Sequence, residues 1–280
     1  MNKRAIKSVL QKKHNSFVNS IKDEKVRDLV DKHSIITGGC IASMLLGEKI
    51  NDFDYYFDSR NVALEVTKYY VEEFNRIRGA EIAELREKDN GRISIFISSD
   101  GIAEEDYGDE DEDLPAEDNT KQDYRPIFLT SNAITLSNKI QLVIRFFGSP
   151  EEIHENYDFV HCTNYWYSKT GELVLNQAAL ESLLSKELYY VGSKYPLCSL
   201  IRTRKFIKRG WNINAGQYLK MAMQLNELDL RDVETLEEQL IGVDITYFQM
   251  LIEALNERKE KNKDFAYDSG YIATIVDRIF

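Results

Sequence analysis

The chain has 280 residues, 43% of them hydrophobic, and a formal net charge of −11. That length can bury a sizeable core in one or two domains, and the apolar share is ordinary for a soluble globular protein. No run approaches the roughly 18 apolar residues that a membrane span needs, and the opening MNKRAIKSVLQKKH lacks an apolar signal core, so a cytoplasmic protein with no membrane partner is expected.

The charge is unevenly spread. Residues 100–123 hold twelve acids and one base, Lys121, and so carry the whole −11, leaving the rest formally neutral. Net charge therefore does not exclude a polyanionic substrate. Cys40, Cys162 and Cys198 are odd in number and show no metal-ligand spacing, which predicts reduced, mostly buried thiols.

In chain order, Val9, Phe17, Val18, Ile21, Val26, Leu29 and Val30 recur at helical spacing and predict a helix over 3–31 with a basic first half. Ile35 and Ile36 read as a short strand, Gly38 and Gly39 as a turn, Cys40 to Leu46 as a helix closed by Gly47. A second strand then carries Asp52 and Asp54. Side chains alternate along a strand, so these two carboxylates share a face and can hold a divalent metal. The glycine pair lets a polyphosphate approach the backbone amides at the helix N-terminus, where partial positive charge gathers.

An amphipathic helix is predicted over 62–77 and a strand over 92–98, followed by the acidic segment, too polar to bury a core and read as a solvated insertion. Strands are predicted at 127–130, 133–136 and 140–147, a helix start at Ser149-Pro150-Glu151-Glu152, and a strand-like run at 157–167. From about Leu173 the pattern reads as helical to the end, with helices near 214–226, 234–241, 245–258 and 268–279. Arg202, Arg204, Lys205, Lys208 and Arg209 crowd one helix beside Gly210 and Trp211, either as a solvated face or as a phosphate or RNA contact. The four histidines are scattered and read as packing or surface residues; Tyr157, Tyr165 and Trp166 could stack a base, but alternating aromatics in a strand are more often core.

The stretch from Ile35 to Phe57 resembles the active-site signature of the nucleotidyltransferase superfamily. More narrowly it resembles the bacterial tRNA CCA-adding enzymes and poly(A) polymerases. Gly38-Gly39, Ile41, Leu45-Leu46-Gly47 and Asp52-Phe53-Asp54 fall at that family's spacing, with twelve residues between the second glycine and the first acid. Glu151-Glu152 through Asp158-Phe159 and Asn164 resembles the family's second motif, and Pro196-Leu197 through Arg204 and Gly210-Trp211 its basic helix. The departures are Ala42-Ser43 for Arg-Asp, Asn156-Tyr157 for Arg-Arg, Tyr195 for Asp, and Gln141 where a further palm acid is expected.

The resemblance implies an α+β fold: a polymerase-β-like palm with an N-terminal helix and the acidic insertion over 1–170, then an all-α domain over 171–280. It implies a nucleotidyltransferase that moves a nucleoside monophosphate from an NTP to a hydroxyl acceptor, with an RNA 3′ end as the leading acceptor. Asp52 and Asp54 would bind Mg²⁺ or Mn²⁺ and be catalytic; Gly38, Gly39, Ser43, Arg145, Asp158, Arg204 and Lys205 would bind nucleotide; Arg202, Lys208 and Arg209 would bind RNA. The alternative is a catalytically weakened relative that binds RNA or a protein. The compact size and richness in Lys, Asn and Tyr are of the kind met in virus-encoded proteins.

Overall fold

The computed structural model describes residues 1–87, 91–97, 124–230 and 232–240. The acidic segment and the helices expected at 245–258 and 268–279 lie outside the described residues. The described chain forms two compact units, the first running to Ser185 and the second starting at Lys186.

In the first unit the expected opening helix is two helices, α1 (Lys3–Ser20) and α2 (Glu24–His33). The break has a local cause. Ile21 is extended and its side chain buried, and the Asp23 carboxylate caps a new helix by accepting from the Val26 amide at 2.9 Å. Strand β1 (Ser34–Thr37) leads through Gly38 into helix α3 (Gly39–Leu46), which ends at Gly47 in the left-handed region. Strand β2 (Phe53–Phe57) and helix α4 (Arg60–Arg78) follow.

A two-stranded ribbon of β3 (Ala83–Glu87) and β4 (Ile93–Ile97) comes next. The sequence gives no strand signal at β3, because AELRE has helical composition. The Asn75 side chain overrides it by accepting from the amides of Ile82 and Ala83 and donating to the Ala83 carbonyl. Strands β5 (Pro126–Leu129), β6 (Ala133–Leu136) and β7 (Ile140–Phe147) then form a meander. Helix α5 (Pro150–His154) starts with a Ser149/Glu152 capping box. The strand-like run at 157–167 is mostly a turn with one 3₁₀ segment, Val160–Cys162, and only Tyr165–Tyr167 is a strand, β8. The chain is not helical from Leu173. Glu172–Val174 is strand β9, with Leu173 buried opposite Trp166, and three residues are too few to show a period. Helix α6 (Gln177–Ser185) closes the unit.

These strands form a mixed sheet in the order β5-β6-β7-β2-β1-β8-β9 among the described residues, with β2 and β7 parallel and the other pairs antiparallel. One face is the core. Phe53, Tyr55 and Phe57 of β2, Ile140, Leu142 and Ile144 of β7, and Trp166 pack against Ile6, Leu10 and Phe17 of α1 and Val66 and Tyr70 of α4. Burying an aromatic such as Phe53 contributes about 2–3 kcal/mol, so β2 is anchored by the residues that flank Asp54. The other face carries a smaller cluster of Ile35, Tyr56 and Ile153, with Val143, Tyr157, Tyr165 and Tyr167 against it.

The second unit contains α7 (Pro196–Lys208), α8 (Ala215–Leu225) and α9 (Val233–Leu240). Gln217 and Gln224 brace its chain by side-chain bonds to the backbone of Tyr190 and Ser193. The whole is α+β, a mixed sheet with helices followed by a helical part, as the sequence predicts.

Candidate active site

The second face of the sheet bears a polar row. In register across neighbouring strands stand Thr135 of β6, Gln141 of β7, Asp54 of β2, Thr37 of β1 and Tyr165 of β8. Asp54 thus sits at the centre of the sheet near the start of its strand, half-buried, and Asp52 lies just before the strand. Phe53 between them turns inward to the core. Within β2 the side chains alternate, Asp54 facing away from the buried Phe53 and Tyr55, while Asp52 lies outside the strand that the sequence expects to carry it.

Gly38 makes the turn that brings α3 against this row. Its φ of +91° belongs to a region that side-chain-bearing residues rarely adopt, and a Cβ there would lie 2.9 Å from Asp54 Oδ2. Its amide donates to the Cys162 carbonyl at 3.1 Å. Gly39 begins α3, and a Cβ there would meet nothing within 4 Å, so the helix N-terminus is open beside the Asp54 carboxylate. The thiol of Cys40 gives a second view of the convergence. Burial raises its pKa, and the negative fields of Asp54 and then Asp52 raise it further.

Thr37 ties the turn to the segment after α5. His154 Nε2 lies 2.8 Å from Thr37 Oγ1, and that hydroxyl donates to the Asn164 carbonyl at 2.9 Å. Burial lowers the His154 pKa to about 4, with Glu151 opposing, so the ring is neutral at pH 7. The Asn164 side chain accepts from the Asn176 amide at 2.8 Å. Tyr157 is also drawn in. Its hydroxyl would be 3.4 Å from a Gly38 Cβ, and burial first, then Tyr56 and Asp54, push its pKa well up. Thr37, His154 and Tyr157 carry no motif signal. Thr37 becomes visible only once the antiparallel register places it opposite Asp54.

The remaining sequence candidates fall elsewhere. Ser43 is buried one turn inside α3, and its carbonyl accepts from the Glu48 amide at 2.9 Å. Arg145 lies four residues along β7 from Gln141, about 13 Å at strand rise, where it and Arg92 both donate to Asn132 Oδ1. Asp158 lies in the turn after α5 and its Oδ1 accepts from the Phe159 amide at 3.1 Å. Arg202, Arg204, Lys205 and Lys208 are on α7 and Arg209 caps it, all in the second unit; Arg204, Lys205, Lys208 and Arg209 are exposed. Among the described residues no three His, Cys, Asp or Glu side chains cluster as a metal site.

A mixed sheet with Asp52-Phe53-Asp54 at the start of a central strand, against a strand–glycine–helix turn, is the arrangement that the sequence resemblance implies. The chain belongs to the Gabija anti-defense 2 (Gad2) family, whose sequence profile matches residues 8–186. No curated protein matches it. Among solved structures it is similar to a tRNA-processing enzyme in an apo form, at 13% identity and a TM-score of 0.39, over 90% of this chain and 63% of that one. It is also similar to the Thermotoga maritima CCA-adding enzyme complexed with tRNA, at 14% identity and a TM-score of 0.39, over 92% and 57%. A third is a tRNA nucleotidyltransferase complexed with a primer tRNA and an incoming ATP analogue, at 15% identity and a TM-score of 0.38, over 86% and 62%. The chain thus spans about three-fifths of the length of these structures. No described helix is long and apolar enough to cross a membrane.

Proposed function

We propose that this protein transfers a nucleoside monophosphate from a nucleoside triphosphate to a hydroxyl acceptor, with an RNA 3′ end as the acceptor class. One observation carries the reading: Asp54, two residues after Asp52, packs on the glycine turn, where its Oδ2 leaves no room for a side chain at Gly38. Negative charge and a bare helix N-terminus are thereby set side by side. A triphosphate needs both, backbone amides to receive it and carboxylates to hold the cation that offsets its charge.

The donor set suits Mg²⁺ or Mn²⁺. These ions take hard oxygen ligands and complete their shell with water and substrate phosphates, so two half-buried carboxylates suffice on the protein side. Asp52 and Asp54 would hold the ion, which when bound supplies charge neutralisation and a more acidic acceptor hydroxyl. The chain's own residues do the positioning. Gly38 and Gly39 admit the phosphates to the start of α3; Thr37, held by His154 and Asn164, fixes the strand end opposite Asp54. Neutral His154 spends its Nε2 on this contact. The family's description adds counter-defense as the setting in which such a transfer would act.

Incubation with each labelled NTP, Mg²⁺ or Mn²⁺ and a pool of RNAs tests this. Incorporation by the wild type and its loss in Asp52→Ala/Asp54→Ala is the expected result; identical behaviour of the two sinks the enzymatic reading. A second reading, a weakened relative that binds RNA or a protein, is favoured by the amide of Gln141 standing where a further acid would be. Calorimetric titration of ATP with Mg²⁺ separates the two, since an inert scaffold gives no metal-dependent nucleotide binding.

A further inference from the structure

On the helix-covered side of the same strand, a cavity of about 580 Å³ opens between α1, the segment before β2 and the β6–β7 turn. Among the described residues its wall carries four lysines, Lys12, Lys13, Lys49 and Lys139, and one acid, Glu48. The floor is aromatic, formed by Phe53 and Tyr124, both buried. All of these residues belong to the first unit.

Two of the lysines are held in place. Lys13 Nζ lies 5.1 Å from the Phe53 ring centroid and 5.2 Å from that of Tyr124, and it donates to the Asn138 carbonyl. Lys139 has a φ of +59° and follows Asn138 at +61°, the last two residues of a three-residue hairpin connection, at angles that favour glycine. A lysine there costs backbone energy that glycine would not, and its Nζ reaches the Ile50 carbonyl at 3.4 Å.

We propose that this lysine cavity binds a phosphate-bearing ligand, a chemistry shared by free polyphosphate and a nucleic-acid backbone. Rings beside cations suit such a ligand better than a simple inorganic ion. The site is distinct from the carboxylate face: Phe53 lines it, while its neighbour Asp54 points to the opposite face of the sheet. It does not depend on the proposed transfer.

Binding of tripolyphosphate and of a labelled single-stranded RNA oligonucleotide to the full chain in EDTA tests it, so that no metal at Asp52 and Asp54 contributes. Lys12→Gln/Lys139→Gln is compared with Lys68→Gln/Lys169→Gln, an equal change of charge at exposed positions outside the cavity. The cavity variant is expected to bind about tenfold more weakly than the control. Lys49→Gln supplies a single exposed substitution should the double variant fold poorly, with a loss of about threefold expected. Weakening toward both probes supports recognition of phosphate as such; toward RNA alone, a nucleic-acid backbone; toward tripolyphosphate alone, a free polyphosphate. Cavity variants that match the control with both probes, or a wild type that binds neither, overturn the proposal.

Discussion

Gln141 on β7 stands in register beside Asp54 on β2, across a parallel strand pair at the centre of the sheet. A neutral amide therefore occupies the place on this face from which a third carboxylate would reach the acid pair.

Restoring a charge there has opposite effects with and without metal. Gln141→Glu adds a like charge next to Asp54, so in EDTA the variant should melt a few degrees below the wild type. With Mg²⁺ the added oxygen ligand should tighten cation binding about tenfold and reverse the order of melting. Thermal scans across a Mg²⁺ series check both. An unchanged Mg²⁺ midpoint would show that position 141 does not face the cation.

The two glycines of the turn separate space from backbone geometry. Gly38→Ala meets both a φ of +91° and the Asp54 carboxylate at 2.9 Å, which predicts a loss of about 1–3 kcal/mol in stability and of nearly all activity. Gly39→Ala meets nothing within 4 Å, so it should leave the melting temperature within a degree or two. If it still lowers NTP affinity, the open space beside Gly39 is where the phosphate enters. Equal melting temperatures for the two variants would contradict the close packing of Asp54 on the turn.

Much of this site is legible in the chain because it is local. The Gly38-Gly39 pair, the α3 stretch and the spacing to Asp52 and Asp54 are all contained in one strand–helix–strand unit, and the predicted strands at 133–136 and 140–147 are β6 and β7 as observed. Thr37, His154 and Tyr157 are not legible in this way. Their roles arise from contacts across more than a hundred residues of sequence, as between Thr37 and His154, where no periodicity carries information. His154 in particular reads as a packing residue, and it is packed; what the sequence omits is that its Nε2 contact ends on the strand opposite Asp54. The split of the opening helix is likewise a contest between a continuous apolar period and one capping carboxylate, Asp23, and the cap decides it.

The His154 ring sets a pH dependence with a definite sign. Its folded pKa, lowered to about 4, lies below the 6.5 of an exposed histidine, so between these values the unfolded chain takes up a proton that the folded one refuses. Stability is thus full above pH 6.5 and falls as the pH drops toward 4. His14 on α1, also lowered by burial, acts in the same direction. His154→Gln keeps a side-chain amide for Thr37 and removes the titration, so denaturant midpoints measured from pH 7.5 to 4.5 should fall less steeply in the variant. Parallel curves would mean that the ring is protonated in the folded state.

The acid pair itself should cost stability when no cation is present. The fields of Asp54 and then Asp52 both reach the Cys40 thiol, so removing both charges lifts a local concentration of negative charge. Asp52→Asn/Asp54→Asn keeps the shape and removes both charges. In EDTA this variant should melt at or above the wild-type temperature, while incorporation in Mg²⁺ falls by at least about a thousandfold, the usual consequence of removing groups kept for chemistry rather than for folding. The same variant should gain no stability from Mg²⁺, whereas the wild type should gain it in proportion to the logarithm of the Mg²⁺ concentration. A wild type whose melting ignores Mg²⁺, together with a variant that melts lower in EDTA, would assign the two aspartates a structural role.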